Sequence, residues 1–268
     1  MAKFEKKPLN TEDRGVMRTP EDGDFYIDTN IQVIHEDESL LVVNKPAPLA
    51  VHAVGSYRHV NLHNLLKEDA RWSDCDIKLV HRLDAETSGV LVIAKDYLTS
   101  RHICKQFMDG QVHKEYEAVV FGRPKELNGD ITYALGYDNT SAFQRIRMRD
   151  DENGENAHTQ YEVLASNQDY SHIKLIPLTG RTHQLRIHLA LLGHPIVGDK
   201  SYLDPEIYKI YVKEGLGEAI LERLKLRRLC LHASQIRFTH PISEETVTYH
   251  APKPALIEDF VAQQNFKP

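Results

Sequence analysis

The stretch HRLDAETSG, residues 81–89, holds the side chains of this sequence best suited to chemistry. It lies between two strand-like runs and mounts Arg82, Asp84, Thr87 and Ser88 on a loop. Thr87, Ser88 and Gly89 can turn the backbone and satisfy it locally, which would fix the Asp84 carboxylate in place. A lone loop aspartate is more often an Asx-type turn than a reacting group, so partners decide how it is read. One partner is offered by TGRTHQLRIH, residues 179–188, where Arg181 and Arg186 flank the start of a helix. Backbone donors there suit a phosphate, and Arg181 would reinforce them. Arg186 stands between apolar Leu185 and Ile187, where a guanidinium should want a carboxylate, because burying it alone is costly. The competing reading, of equal weight from this segment, puts both arginines on a solvated helix face.

QRIRMR places Arg145, Arg147 and Arg149 on one face of a strand, since side chains alternate. Such a stripe is an anion track, or else the charged protection of an edge strand. Arg223, Lys225, Arg227 and Arg228 read as a solvated helix face. His183, His188 and His194 are spaced five and six apart, which does not align three imidazoles on one helix face, and no HExxH accompanies them. No phosphate-cradling GxxxxGK[ST], helix-opening GxGxxG or GxSxG elbow occurs. Metal binding is the weaker reading, and what remains is a cofactor-free site built on a carboxylate, an arginine and aromatics.

The elements that must carry these groups follow from periodicity. IQVIHEDESLLVVNKP reads as an antiparallel hairpin closed by the acidic turn Glu36-Asp37-Glu38. VNLHNLLKEDARW and TSRHICKQFMDG have helical spacing, the second ending at Gly110. HKEYEAVVFG, SAFQRIRMRD, AHTQYEVLA and SHIKLIPL are strand-like, two of them joined as a hairpin across Asn153-Gly154. RTHQLRIHLALLGHP predicts a helix with Leu185, Leu189 and Leu192 inward, stopped by Gly193 and Pro195. ILERLKLRRLCLHA begins helical and turns strand-like into SQIRFTHP. Strands with few crossover helices imply an α+β fold: a mixed, mostly antiparallel sheet with flanking helices.

A chain of 268 residues with 41% hydrophobic content can bury a large core. Residues 1–30 are polar and broken by prolines, which predicts an extended or partly disordered arm before a body spanning 31–268. No signal peptide and no run of membrane-spanning length is seen, so a soluble cytoplasmic protein without a membrane partner is expected. Cys75, Cys104 and Cys230 form no CxxC pair and suggest idle thiols. The net charge of -6 argues against indiscriminate coating of nucleic acid, yet leaves room for a local basic groove.

Taken in order, LLVVNKPAPLAVH, HRLDAETSGVLVIAKD, HKEYEAVVFG, AHTQYEVL, LTGRTHQLRIHLALLGHPIVGD and LHASQIRFTHP resemble the RluA-type pseudouridine synthases over roughly residues 31–250. These enzymes isomerise particular uridines in structured RNA. VHAVGSYRHVNLHNLL looks closer to the branch with eukaryotic-like tRNA and mRNA modifiers than to the standard bacterial ribosomal enzymes. The resemblance implies a pseudouridine synthase fold of two subdomains around a central catalytic cleft, working without cofactor. It makes Asp84 the catalytic aspartate, Tyr116 of HKEYE the active-site tyrosine, and Arg186 of HQLR the arginine paired with the aspartate. Arg82 matches the arginine that helps displace the target nucleotide. A uracil within a stem must leave its stack to react, and Tyr116 would supply the aromatic face that receives it. The 30 polar residues ahead of the body are too few for the small RNA-binding module that often stands there. Recognition of structured RNA, tRNA or rRNA, would then rest on the body, with Arg82, Arg181, Arg145, Arg147 and Arg149 meeting phosphates. No protein partner is needed, and a monomer is expected. A non-catalytic RNA-binding protein on the same scaffold is the alternative.

Overall fold

The computed structural model describes residues 16–18, 24–138, 148–264 and 266. Most of the arm therefore lies outside the described residues. The part that is described includes an antiparallel pair, β1 (Val16–Arg18) and β2 (Asp24–Tyr26), where only extended chain was expected. Ile27 is buried in the core and the Asp28 N–H donates to the Pro48 carbonyl, so the packed body starts by residue 27, not 31.

From there the chain runs β3 (Gln32–Glu36), β4 (Leu40–Lys45), α1 (Leu62–Glu68), β5 (Lys78–Leu79) and β6 (Ser88–Ala94). It continues through α2 (Tyr97–Met108), β7 (His113–Phe121), β8 (Asn128–Tyr137), β9 (Met148–Asp150), β10 (Glu155–Ser166) and β11 (Tyr170–Pro177). Then come α3 (Gln184–Leu191), α4 (Pro205–Glu214), α5 (Glu218–Leu224), β12 (Leu231–Thr239), β13 (Thr246–His250) and α6 (Ala255–Gln263). Among the described residues eleven strands join one sheet, ordered β3-β4-β6-β12-β7-β11-β10-β8-β9, with β5 on β6 and β13 on β12. All its pairings are antiparallel except β6 with β12, so the expected mixed, mostly antiparallel sheet is what forms.

Two hydrophobic clusters line this sheet. One gathers β4, β6 and α1 around Leu41, Leu91, Leu62 and Trp72; the other gathers β7, β11, α3 and α6 around Val119, Leu175, Leu189 and Ile257. Tyr116 packs against both. Every residue of β6 is buried, which explains why VLVIA is continuously apolar instead of alternating. Local signals set the helix starts: Asn61 caps α1 by accepting from the Asn64 N–H, and Asp96 caps α2 by accepting from the Thr99 N–H.

The hairpin expected across Asn153-Gly154 does not form. β9 and β10 both pair with β8, on its opposite sides, and Leu135 faces Asp150 on one flank and Glu155 on the other. Gly154 is needed for close approach instead of a two-residue turn, because a Cβ there would overlap the Leu135 backbone. Arg228 also departs from its expected solvated face: it is partly buried and donates to the Ala47 carbonyl and Ser88 Oγ.

Gly89 is the residue on which the placement of the HRLDAETSG loop turns. It sits where β6 begins to run parallel to β12, with φ +122, and a Cβ there would overlap the backbone of Ala233. Gly89→Ala combines forbidden backbone with a steric clash. It is expected to cost about 2–4 kcal/mol of stability in urea unfolding.

Candidate active site

The loop between β5 and β6 folds into a tight turn in which the Thr87 N–H donates to the Asp84 carbonyl at 3.1 Å. Of Thr87, Ser88 and Gly89, all three expected to satisfy this loop locally, Thr87 does so, while Ser88 and Gly89 already belong to β6 and pair across the sheet. Around it the loop is pinned from several directions. Lys45, fully buried at the end of β4, donates to the carbonyls of Pro46, Leu49 and Ala85 at 2.9, 2.7 and 3.3 Å. Glu86 receives Lys200 Nζ at 2.6 Å and the Leu229 N–H at 3.1 Å. Ser88 Oγ lies 2.9 Å from His232 Nδ1 and accepts from Arg228 Nη2 at 2.9 Å. The loop is fixed before any substrate arrives.

With its backbone satisfied elsewhere, Asp84 turns its carboxylate to α3, where Arg186 Nη1 donates to Oδ2 at 3.2 Å. Arg186 is itself gripped by a residue the sequence reading passed over. Asp199 accepts from Arg186 Nε at 2.7 Å through Oδ2 and from Nη2 at 2.8 Å through Oδ1, a two-point pairing of guanidinium with carboxylate. The Ser201 and Tyr202 N–H groups also donate to Asp199 Oδ1, at 2.8 and 3.0 Å, and the Asp199 side chain is wholly inaccessible. The Arg186 guanidinium lies 5.0 Å over the ring of Tyr202. A donor count signals that Arg186 needs a second acceptor, since a guanidinium has five N–H groups, but it does not say which residue supplies it.

Burial pushes the Asp84 carboxyl up, but the positive charges around it, His183 once protonated in the acid range, Arg186 and Arg82, win and hold it below its ordinary value. His183 is kept neutral, near 4, chiefly by its own burial, so at neutral pH Arg186 is the cation in contact with the carboxylate. Tyr116, on β7 beside Ala233 of β12 and Leu175 of β11, has its phenol pushed up by burial and then by Asp84, and it stays protonated. His81 is held near 3 by burial, and its Nε2 accepts from the Val92 N–H at 2.9 Å.

These groups line a cleft of about 290 Å³. Asp84 and Arg186 meet there with Tyr116, and the walls include Phe107, Lys114, His183 and Leu231. Such a volume suits one small ligand. Arg82 lines the same cleft, exposed and without a hydrogen-bond or ion-pair partner among the described residues. Arg181 also faces it, but pairs with Glu155 at 2.8 Å and donates to the Asn156 carbonyl. Of the strand stripe, Arg145 and Arg147 lie outside the described residues. Arg149 is exposed on the edge strand β9, 3.8 Å from Asp151, and is not among the cleft-lining residues.

What the arrangement can do is present one ionised carboxylate, a protonated phenol and a ring face to a single small planar group, with cations at the lip. Comparison with known proteins points the same way. The RNA pseudouridylate synthase family model matches residues 39–191. The chain is 34% identical over 231 residues to the ribosomal large subunit pseudouridine synthase C of Vibrio vulnificus, covering 85% of this chain and 68% of that protein. It is 34% identical over 227 residues to the dual-specificity RNA pseudouridine synthase RluA of Pasteurella multocida, covering 84% and 94%. Among solved structures, human RNA pseudouridylate synthase domain containing 4 superposes with a TM-score of 0.70 at 28% identity, over 88% of this chain and 94% of that one.

Two measurements check the electrostatics. Asp199→Ala leaves Arg186 buried with half its partners and is expected to cost about 3–5 kcal/mol in urea unfolding, far more than Asp84→Asn, which removes a single longer contact. The folded values of His81, His183 and His232, about 3, 4 and 4, lie below the ordinary histidine value. The unfolded chain therefore takes up protons first: this stability is full above about pH 6.5 and is lost as pH falls toward 4. Urea unfolding at pH 5 should show a loss on the order of 1–2 kcal/mol per such histidine relative to pH 7.

Proposed function

The chain belongs to the RNA pseudouridylate synthase family and isomerises uridine in RNA, and on that premise we propose that it acts on structured RNA with Asp84 as the reacting carboxylate. The observation that carries the assignment is the contact between Asp84 and an arginine already fixed by Asp199, at the floor of a cleft of nucleoside size. A pure RNA binder gains nothing from a negative charge facing phosphates.

The reaction breaks the bond from ribose C1′ to uracil N1 and remakes it to C5, without redox change or hydrolysis. One proton leaves C5 and one arrives at N1, so nothing external is consumed. Asp84 serves as an ionised nucleophile or base, and its nearby cations support that state. Arg186 orients it. Tyr116 offers a ring face for the extruded base and a phenol that remains protonated until a proton is needed. Arg82, at the cleft lip and unpartnered among the described residues, occupies the place the displaced nucleotide leaves in the stack. Arg181 adds a phosphate contact, since its exposed pairing with Glu155 contributes little and is readily exchanged. Arg149, exposed and outside the cleft lining, extends the phosphate contacts, and the same role is assigned to Arg145 and Arg147 from the sequence pattern.

Ribosomal RNA is the substrate that the sequence relatives favour, because several of them are named for the large ribosomal subunit. Transfer RNA is the second structured RNA to assay, because the RluA relative is named as having dual specificity. In the same reading the protein works in the cytoplasm as a monomer without cofactor; the free thiols of Cys75, Cys104 and Cys230 suit a reducing compartment.

Asp84→Asn is expected to fold and to bind RNA within about twofold of wild type while losing at least about 10³-fold in pseudouridine formation. Pseudouridine mapping of total RNA from cells with and without the gene identifies the site, and purified variants then report the rate on it. Retained turnover in Asp84→Asn contradicts the assignment. Tyr116→Phe with a wild-type rate would reduce that tyrosine to a packing surface.

A further inference from the structure

His183 is held in the cleft by geometry that packing alone does not require. It adopts the left-handed backbone conformation, φ 55 and ψ 18, immediately before α3, and its side chain does not cap that helix. For a residue with a Cβ this conformation costs about 1 kcal/mol or more, and such strain concentrates at functional sites. The ring is thereby directed into the cleft. Its Nδ1 lies 2.8 Å from the Tyr202 hydroxyl, and its Nε2 lies 3.9 Å from Asp84 Oδ1. The two rings meet edge to face, with centroids 5.7 Å apart at 78°. Arg186 engages the other carboxylate oxygen, Oδ2.

The neutral ring carries one proton, and its partners decide where. Beside an ionised carboxylate the favourable position is Nε2, which leaves Nδ1 to accept from the Tyr202 hydroxyl. We propose that His183 is a positioning residue for Asp84: its Nε2–H closes on Oδ1 when a nucleotide fills the cleft, so that one oxygen is held by Arg186 and the other by His183. The inference rests on the pseudouridine synthase reading of this site. The gap of 3.9 Å is longer than a hydrogen bond, and catalytic contacts of this kind tighten in the substrate complex. An aspartate rotates broadly about its last torsion, and one contact at 3.2 Å leaves that rotation open. A second contact closes it, and each oxygen still keeps a lone pair for the substrate. The other charged or titratable groups near Asp84 are Arg82 on its own loop, Tyr116 on β7 and Lys45 on β4, with His81, Lys114 and Arg181 lining the same cleft, while Asp199 faces His183. None of these hydrogen-bonds the Asp84 carboxylate among the described residues.

The test is the single-turnover rate of pseudouridine formation against pH, for wild type, His183→Asn, His183→Gln and Tyr202→Phe, on an RNA that wild type modifies. Asparagine tolerates the left-handed backbone but is too short to bridge Tyr202 and Asp84, which separates the side chain from the strain. His183→Asn is expected to lose about tenfold or more in rate, consistent with one hydrogen bond to a charged group. Its acid limb should move to higher pH, with RNA affinity within about twofold of wild type. His183→Gln should recover part of the rate, and Tyr202→Phe should move the limb the same way by less. An unmoved acid limb in His183→Asn, or a loss confined to RNA affinity, overturns the proposal. Ring ¹⁵N spectra of His183 in the wild-type protein read the tautomer without any activity: Nε2–H is expected, and Nδ1–H overturns the proposal even if no RNA substrate has been found. Absence of turnover by wild type, with the expected tautomer present, would count against the substrate reading and leave the geometry of His183 standing.

Discussion

A guanidinium clamped by one carboxylate so that it can steady another is the interaction from which the rest of this site follows. Asp199 takes Nε and Nη2 of Arg186 and is itself held by two backbone N–H groups, so the arginine has little freedom left. Its remaining nitrogen, Nη1, reaches Asp84. Without the clamp a long cationic side chain would pay rotamer entropy to stay in one place, and its hold on Asp84 would be weak. With it, the cost of ordering is met during folding, and the Asp84 carboxylate meets a preset charge. Two carboxylates around one cation leave excess negative charge. Backbone donors at Asp199, and Arg82 beside Asp84, absorb it.

The fold serves this constraint from both sides. On one side β6 enters its fully buried strand through Gly89, at the only kind of residue that the closeness of Ala233 permits. On the other, β11 leads into α3, which carries Arg186, and the segment after it returns with Asp199 and Lys200 to bind Arg186 and Glu86. Lys45 ties the preceding loop to the carbonyl beside Asp84 using three carbonyl acceptors, and burial pushes its ammonium down to about 7. Tyr116 joins the two hydrophobic clusters at their boundary, where the cleft opens.

Much of this was legible in the sequence, for identifiable reasons. Period-two and period-3.6 patterns placed the first hairpin and the helices over Leu62, Ile103 and Leu185, because each buries one face against the sheet. The residues around Arg186 left a carboxylate partner and a solvated helix face equally open, and it was the family resemblance that paired Arg186 with Asp84; the two side chains meet at 3.2 Å. Asp199 was not found, since a single aspartate in PIVGDK has no local signature and its partner is thirteen residues away across a turn. The Asn153-Gly154 hairpin failed because a turn dipeptide reports local backbone preference, while strand pairing is decided by β8 lying between β9 and β10. α4 went unforeseen although Asp204-Pro205 marks its start, and α6 went unforeseen although Ile257, Phe260 and Val261 recur at helical spacing. His183 was weighed only as a metal ligand, and its backbone conformation, which gives it meaning, cannot be read from residue type.

The most direct measurement of the central interaction is a ¹³C carboxyl NMR titration of Asp84 in the folded protein, in wild type and in Arg186→Met. Titration below the ordinary aspartate value in wild type, rising when the guanidinium is removed, is the result expected if charge outweighs burial. A wild-type value at or above that of a free aspartate, unchanged in Arg186→Met, would show that Arg186 does not hold the carboxylate ionised.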